Sequence, residues 1–108
     1  MTDWPARAKA FAETHLAPLT DIHTLDALPE SIWQAMAADD LLALSTPAEF
    51  GGTPIDPATQ VAAVEGFTRA ARNVGVGSIW QGHLHNAGFV IGRLGNAEQR
   101  AHYLHRLA

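Results

Sequence analysis

Histidine is the residue type in this sequence best suited to bind a metal or to transfer a proton, and six are present. His83 and His85 are two positions apart, so on a helix they point to different sides and cannot bind the same ion. His102 and His105 are three positions apart and could share an ion, but we expect no carboxylate or third histidine beside them. A zinc site needs further protein ligands, so the spacing predicts no metal site.

The remaining motifs indicate neither a catalytic nucleophile nor a nucleotide-binding loop. Ser45 and Ser78 lack the elbow sequence that exposes a nucleophilic serine, and no carboxylate pair is spaced for acid–base work. The segment GVGSIW, which contains Gly75 and Gly77, lacks the third glycine of a dinucleotide fingerprint. The sequence contains no cysteine, which excludes disulfides and thiol catalysis. We therefore expect no catalytic residue in this chain.

Composition and charge narrow the possible partners. A hydrophobic content of 47% with 17% charged residues is typical of a folded globular chain and not of a disordered one. The net charge is −4 and no basic stripe occurs, so we expect no nucleic-acid partner. The longest apolar region, 74–94, is interrupted by polar side chains such as Gln81 and Arg93, which predicts a buried helix and no membrane span. The N-terminal sequence MTDWPARAKAF lacks a signal-peptide pattern, so we expect a cytoplasmic protein.

Cap residues and prolines mark the helix boundaries in the sequence. Asp3 and Asp56 each stand shortly before a proline, which is favourable in the first turn of a helix. Asn96 has Gln99 three positions later, as in a capping box. No alternating strand pattern of useful length occurs, so we predict an all-α fold, a small bundle of about five helices. The predicted helices run from Asp3 to Pro18, from Pro29 to about Asp40, from Asp56 onward, from Val76 to Leu94, and from Asn96 onward.

A rigid segment, TPAEFGGTPIDPATQ at 46–60, separates the second and third predicted helices. It contains Gly51 and Gly52 together with Pro47, Pro54 and Pro57. Glycine can adopt a positive φ and proline fixes its own φ, so this composition predicts a tight reversal of the chain. We interpret the segment as a structural turn between two packed helices.

Three segments of the chain, taken together, resemble the acyl-CoA dehydrogenase family. The segment LPESIWQAMAADDLLALSTPAEFGG resembles the family's second helix and the P-E-x-(Tyr/Phe)-G-G turn that follows it. The segment GNAEQRAHYLHRLA resembles the family pattern G-(T/N)-x-x-Q-(K/R)-x-x-Y-L-P-x-L-A, with His105 in place of the usual proline. VEGFTRAARN is similar to the E-E-(L/I)-(A/G)-R helix through Glu65 and Arg69. The resemblance covers about residues 11–108, with the spacing kept in all three segments.

The resemblance implies that residues 1–108 form the N-terminal α-helical domain of such an enzyme. A complete enzyme of the family removes an α-proton from an acyl-CoA thioester and transfers the β-hydrogen as hydride to FAD. Its catalytic glutamate, its FAD-binding middle domain and its C-terminal bundle would lie beyond Ala108, so we expect this chain alone to bind no FAD. We also expect a domain boundary at the C-terminus, the remaining domains or a companion chain as partners, and a homo-oligomeric complete enzyme.

The resemblance further implies that the predicted helix from Val76 to Leu94 borders the acyl tail of the substrate. The large, rigid indole of Trp80 would shorten the space available to that tail, or it would simply fill the core. His83 would border the tail, or it would be a structural histidine bonded to a neighbour. Carried over by position relative to Gly95, the predicted substrate-binding residues are Ile79, Trp80, His83 and Leu84.

Two other functions stay open at this point. Flavin-dependent monooxygenases share the architecture, and the segment SIWQGHLHNA somewhat resembles the histidine-bearing helix of some of them. A non-catalytic helical module, either a remnant or half of a split protein, would use its apolar C-terminal edge to bind a partner. Oxygen consumption that requires reduced flavin would indicate a monooxygenase, whereas dye reduction with acyl-CoA would indicate a dehydrogenase.

Overall fold

The computed structural model describes residues 1–19, 21–24 and 26–108, and within these ranges no strand occurs. Helices account for 70% of the protein, which confirms the predicted all-α fold. None of the described helices combines the length and the apolar character that a membrane span requires. The elements are α1 (Trp4–His15), α2 (Glu30–Ala38), α3 (Pro57–Ala71), α4 (Val74–Gln81), a π-helical segment (Gly82–Phe89), α5 (Val90–Leu94) and α6 (Ala97–Leu107), with 3₁₀ turns at Ile22–Thr24 and Ala48–Phe50.

The caps predicted from the sequence are present. The side chains of Asp3 and Asp56 each accept a hydrogen bond from the backbone N–H three residues later, at 3.1 and 3.0 Å. Asn96 and Gln99 form a capping box, in which each side chain accepts a hydrogen bond from the other residue's backbone N–H at 2.8 and 3.0 Å. These bonds satisfy backbone donors that the first turn of a helix otherwise leaves unpaired, and they fix where α1, α3 and α6 begin.

The element α4, the π-helical segment and α5 follow one another without a break and form one long helix, 74–94. The backbone stays in the right-handed helical region at both junctions, Gly82 and Val90. The sequence predicts a start at Val76, but the helix begins at Val74 because the Asn73 side chain caps it, accepting the Val76 N–H at 3.0 Å. The wider π turn was not predicted, since the sequence pattern was interpreted as α-helical throughout.

The hydrophobic core is organised around α3. This helix packs against both α1 and α4. The rings of Phe11 and Phe67 stack with centroids 6.2 Å apart, and Phe67 lies 4.7 Å from Trp80. A continuous aromatic column therefore joins α1, α3 and α4, and it fixes the inner side of the long helix.

The segment between α2 and α3 makes the predicted reversal. Gly51 adopts a φ of +86°, a backbone conformation that residues other than glycine rarely adopt. Gly52 is required for a different reason, because a methyl group there would overlap the backbone carbonyl of Thr46. The backbone N–H of Thr53 donates to the carbonyl of Ala43 at 2.9 Å, so the two arms of the turn are bonded to each other.

Candidate functional site

The four residues predicted to bind substrate lie where α4 meets the π-helical segment. Ile79 is 40% exposed, whereas Trp80 and Leu84 are 1% and 0% exposed and belong to the core. His83 is half-buried. Of the four, Ile79 alone is exposed at the protein surface, while the other three pack inward. Contact between any of them and a substrate stays a prediction.

Trp80 is held in the core by two kinds of contact. Its indole packs against the ring of Phe67, and its Nε1–H donates to the backbone carbonyl of Leu41 at 2.9 Å. The hydrogen bond satisfies both the buried indole and a carbonyl in the irregular segment that follows α2. Trp80 thus attaches α4 to that segment.

His83 connects three parts of the chain. Its Nε2 lies 3.0 Å from the carbonyl oxygen of Leu42 and 2.8 Å from that of Leu107. Both partners are acceptors, so Nε2 must carry the hydrogen and share it between them. The ring also lies 6.0 Å from Trp33 of α2. His83 therefore holds the long helix, the segment after α2 and the end of α6 in one arrangement.

The outer side of the long helix is open beside Ile79. Apart from the two chain neighbours of Gly82 and the backbone of its own helix, no described atom lies within 4 Å of the position that a Cβ would occupy there. Ile79 and Gly82 are three residues apart and so are neighbours on the helix surface. We call this surface, formed by Ile79 and Gly82, the open face.

A surface pocket of about 360 Å³ adjoins the open face at Ile79. Asn73 Nδ2 donates to His23 Nδ1 at 3.0 Å across this pocket, because Asn73 Oδ1 already accepts the Val76 N–H. Ile22 and Leu28 add apolar walls that sequence analysis did not anticipate, since the connector 18–28 has no helical period to signal them. The residues that line the pocket are Ile22, His23, Asp26, Ala27, Leu28, Asn73, Gly75, Val76 and Ile79.

The histidines of α6 do not converge. The ring of His102 packs against Tyr103 at 4.7 Å, whereas that of His105 packs edge-on against Phe50 at 5.4 Å. Among the residues that the structure describes, no group of three or more histidine, aspartate or glutamate side chains is placed to hold a metal ion.

Comparison with known families agrees with this helical architecture. The profile of the family "Acyl-CoA dehydrogenase, N-terminal domain" matches residues 3–108. No curated protein and no solved structure matches the chain. Because the match spans nearly every residue, the chain belongs to the family of acyl-CoA dehydrogenase N-terminal domains.

Proposed function

We propose that this chain forms the N-terminal wall of the acyl cavity in a flavin-dependent acyl-CoA dehydrogenase, which oxidises the Cα–Cβ bond of an acyl thioester. FAD, when bound to the complete enzyme, accepts the β-hydrogen as hydride. The catalytic glutamate, the middle domain and the C-terminal bundle would come from further domains or from a companion chain. A homo-oligomeric assembly and a cytoplasmic location are part of the same proposal.

The pocket beside the open face does not by itself fit FAD. The pocket beside the open face contains one carboxylate, Asp26, and neither lysine nor arginine. A pyrophosphate needs cationic side chains or a glycine-rich loop at a helix N-terminus, and a carboxylate would repel it. We therefore propose a role for this chain toward the acyl tail and none as an independent flavin-binding domain.

The open face is the observation on which the proposal depends. An acyl tail is apolar and needs an apolar wall with free space beside it, which Ile79 and Gly82 offer. Trp80 and His83 fix the helix from its inner side, so the open face is held in place before a substrate binds. In this arrangement Ile79 would touch the tail, while Trp80, His83 and Leu84 would hold Ile79 in position.

A chimera tests the proposal. Residues 1–108 would replace the N-terminal domain of a characterised acyl-CoA dehydrogenase, and kcat/KM for dye reduction would be measured across a series of acyl-CoA chain lengths. Ile79→Trp should lower kcat/KM for long-chain substrates by about tenfold relative to short-chain ones, because a larger side chain would take space from the tail. Val61→Trp is the matched control, since Val61 is 59% exposed on α3 and lies outside the open face. Equal chain-length profiles for the two variants would refute the assignment.

The same chimera separates the alternatives. A monooxygenase that used His83 as an acid or base would have to use Nδ1, because Nε2 is bonded to two main-chain carbonyls. This arrangement favours the structural role for His83. Oxygen consumption with reduced flavin, without dye reduction by acyl-CoA, would nevertheless contradict the dehydrogenase proposal. Absence of both activities in a folded, flavin-loaded chimera would support a non-catalytic module.

A further inference from the structure

The pocket beside the open face continues from Ile79 toward the N-terminal end of the long helix. Ile79, Val76 and Gly75 line it in succession along the helix, and Asn73 lines it at the helix cap. With a rise of about 1.5 Å per residue, Gly75 lies roughly 10 Å from Gly82 along the helix axis. A chain that lies on the open face and follows the helix in this direction therefore enters the pocket, which we call the Asp26 pocket.

A series of hydrogen bonds determines what His23 offers to the Asp26 pocket. Asn73 Oδ1 accepts the Val76 N–H, so the atom that faces His23 Nδ1 at 3.0 Å is Nδ2, which carries hydrogens. Nδ1 of His23 is therefore the acceptor, and in the neutral ring the hydrogen is on Nε2. His23 is exposed and lines the pocket, and no acceptor in the described part of the protein bonds its Nε2. The ring thus presents an N–H donor that a ligand can reach.

Asp26 supplies an accessible acceptor in the same pocket. It is exposed, and its carboxylate is the one acidic side chain among the described lining residues. No described lysine, arginine or histidine nitrogen lies within ion-pair distance of it, so Asp26 and His23 are not bonded to each other. Ile22 and Leu28 add apolar walls. The pocket therefore combines an acceptor and a donor with apolar surface.

This combination matches a hydroxyl group better than a charged group. A hydroxyl can donate its hydrogen to Asp26 and accept the Nε2–H of His23, so it satisfies both side chains. A carboxylate would be repelled by Asp26. An ammonium would meet the Nε2–H donor of His23 and the positive end of the helix dipole at the start of α4, both of which disfavour a cation.

We propose that the acyl thioester bound by this domain carries a hydroxyl group on its tail, and that the Asp26 pocket recognises this hydroxyl. Asp26 would accept its hydrogen, His23 Nε2–H would donate to its oxygen, and the carbon chain would lie against Ile79. The inference rests on the proposed dehydrogenase function, because it specifies the substrate of that same site. Asp26 and His23 are then the residues that determine the specificity for the end of the tail.

The first test uses the chimera described above. Its kcat/KM would be measured for ω-hydroxyacyl-CoA substrates over a series of chain lengths, each paired with the unsubstituted acyl-CoA. At the chain length that reaches the pocket, the hydroxylated substrate should be preferred roughly fivefold. Asp26→Ala should abolish this preference. Asp21→Ala is the matched control, since Asp21 is an exposed aspartate of the same connector that does not line the pocket, and it should leave the preference intact.

The second test measures binding without catalysis, by NMR titration of the full 108-residue chain, labelled with ¹⁵N, with n-hexanol. The Asn73 side-chain amide and the Gly75 backbone amide should shift and saturate, while the Gly51 amide should not. Methyl pentyl ether, an isomer that cannot donate to Asp26, should bind roughly fivefold more weakly, and Asp26→Ala should remove this difference.

The two tests separate this inference from the proposed function. A chimera that oxidises unsubstituted acyl-CoA but prefers the hydroxylated substrate at no chain length overturns the inference and leaves the proposed function standing. Equal preferences in Asp26→Ala and Asp21→Ala overturn it as well. A chimera that is inactive with every acyl-CoA contradicts the proposed function and the substrate assignment together, and the titration then decides whether the pocket recognises a hydroxyl. Equal binding of n-hexanol and the ether, or shifts that do not saturate, would show that it does not.

Discussion

Replacing Trp80 tests how the long helix is held in place. Its indole is 1% exposed, packs against Phe67 and donates to the Leu41 carbonyl. Trp80→Ala removes the packing and the hydrogen bond together, for which a loss of about 3–5 kcal/mol in the free energy of unfolding is expected. Trp80→Phe keeps most of the apolar surface and leaves the Leu41 carbonyl without its donor, so about 1–3 kcal/mol is expected.

These losses are large compared with the free energy of unfolding of the whole domain. Domains of this size have a free energy of unfolding of roughly 5–15 kcal/mol. Trp80→Ala would therefore remove roughly a fifth of the stability or more, whereas Trp80→Phe should remain folded. The assay is urea unfolding followed by far-ultraviolet circular dichroism, because that signal does not depend on the tryptophan that is replaced. Trp33→Phe is the control, since Trp33 is half-buried and its substitution should cost less.

Two results would refute this reasoning. One is a loss below about 1 kcal/mol for Trp80→Ala, which no buried, hydrogen-bonded tryptophan should allow. The other is an equal loss for Trp80→Phe and Trp33→Phe, which would mean that the bond to Leu41 contributes nothing. If the Trp80 indole shortens the space for the acyl tail, Trp80→Ala in the chimera should shift the preference toward longer or bulkier substrates. If stability falls and specificity is unchanged, Trp80 is a core residue and its assignment to the acyl cavity is wrong.

Two further substitutions test the turn and a helix cap. Gly52→Ala should lower the urea midpoint more than Gly51→Ala does, because a methyl group at Gly52 would overlap the Thr46 carbonyl. Gly51→Ala should cost only about 1 kcal/mol, the strain of placing alanine at a positive φ. Equal losses for the two variants would contradict this reasoning. Hydrogen bonds from the Thr59 hydroxyl and backbone N–H hold the pKa of Asp56 below its usual value. The ionised Asp56 side chain therefore stabilises the fold at pH values above its unfolded-state pKa. This stabilisation is lost as the pH falls through the lower pKa of the folded state. Asp56→Asn, which keeps a cap, should therefore show a smaller drop in Tm between pH 7 and pH 3 than the original chain, and an identical drop would contradict the assignment.

The helix caps, the tight turn at Gly51 and the fold class were predictable from the sequence. A cap depends on a side chain and a backbone N–H three residues away, so Asp3, Asp56 and Asn96 could be identified without knowledge of the fold. The positive φ at Gly51 is local in the same sense. The all-α class follows from the number of such signals and from the lack of strand patterns.

The buried face of α3 was less predictable. The spacing of Val61, Val64, Phe67 and Ala71 predicts that they share one apolar face. Phe67 and Ala71 are buried, but Val61 is 59% exposed. The buried position next to it is Gln60, whose amide donates to the carbonyls of Leu44 and Ile55 in the preceding loop. Hydrophobic periodicity cannot indicate that a polar side chain is buried in order to donate hydrogen bonds to the carbonyls of a loop, because it does not identify those hydrogen-bond partners.

The inner side of the long helix shows why a site could not be located by helical spacing alone. Gly88 fits so closely against Ser45 that an added methyl group would overlap the hydroxyl, so the helix lies directly on the segment after α2. That close approach also brings Trp80 and His83 within bonding distance of main-chain carbonyls. Both side chains form hydrogen bonds with carbonyls that are distant in sequence, whereas Ile79, one residue from Trp80, is exposed. The residue best placed to touch a ligand is therefore the one that tertiary contacts leave free, and only the packed fold can indicate which residue that is.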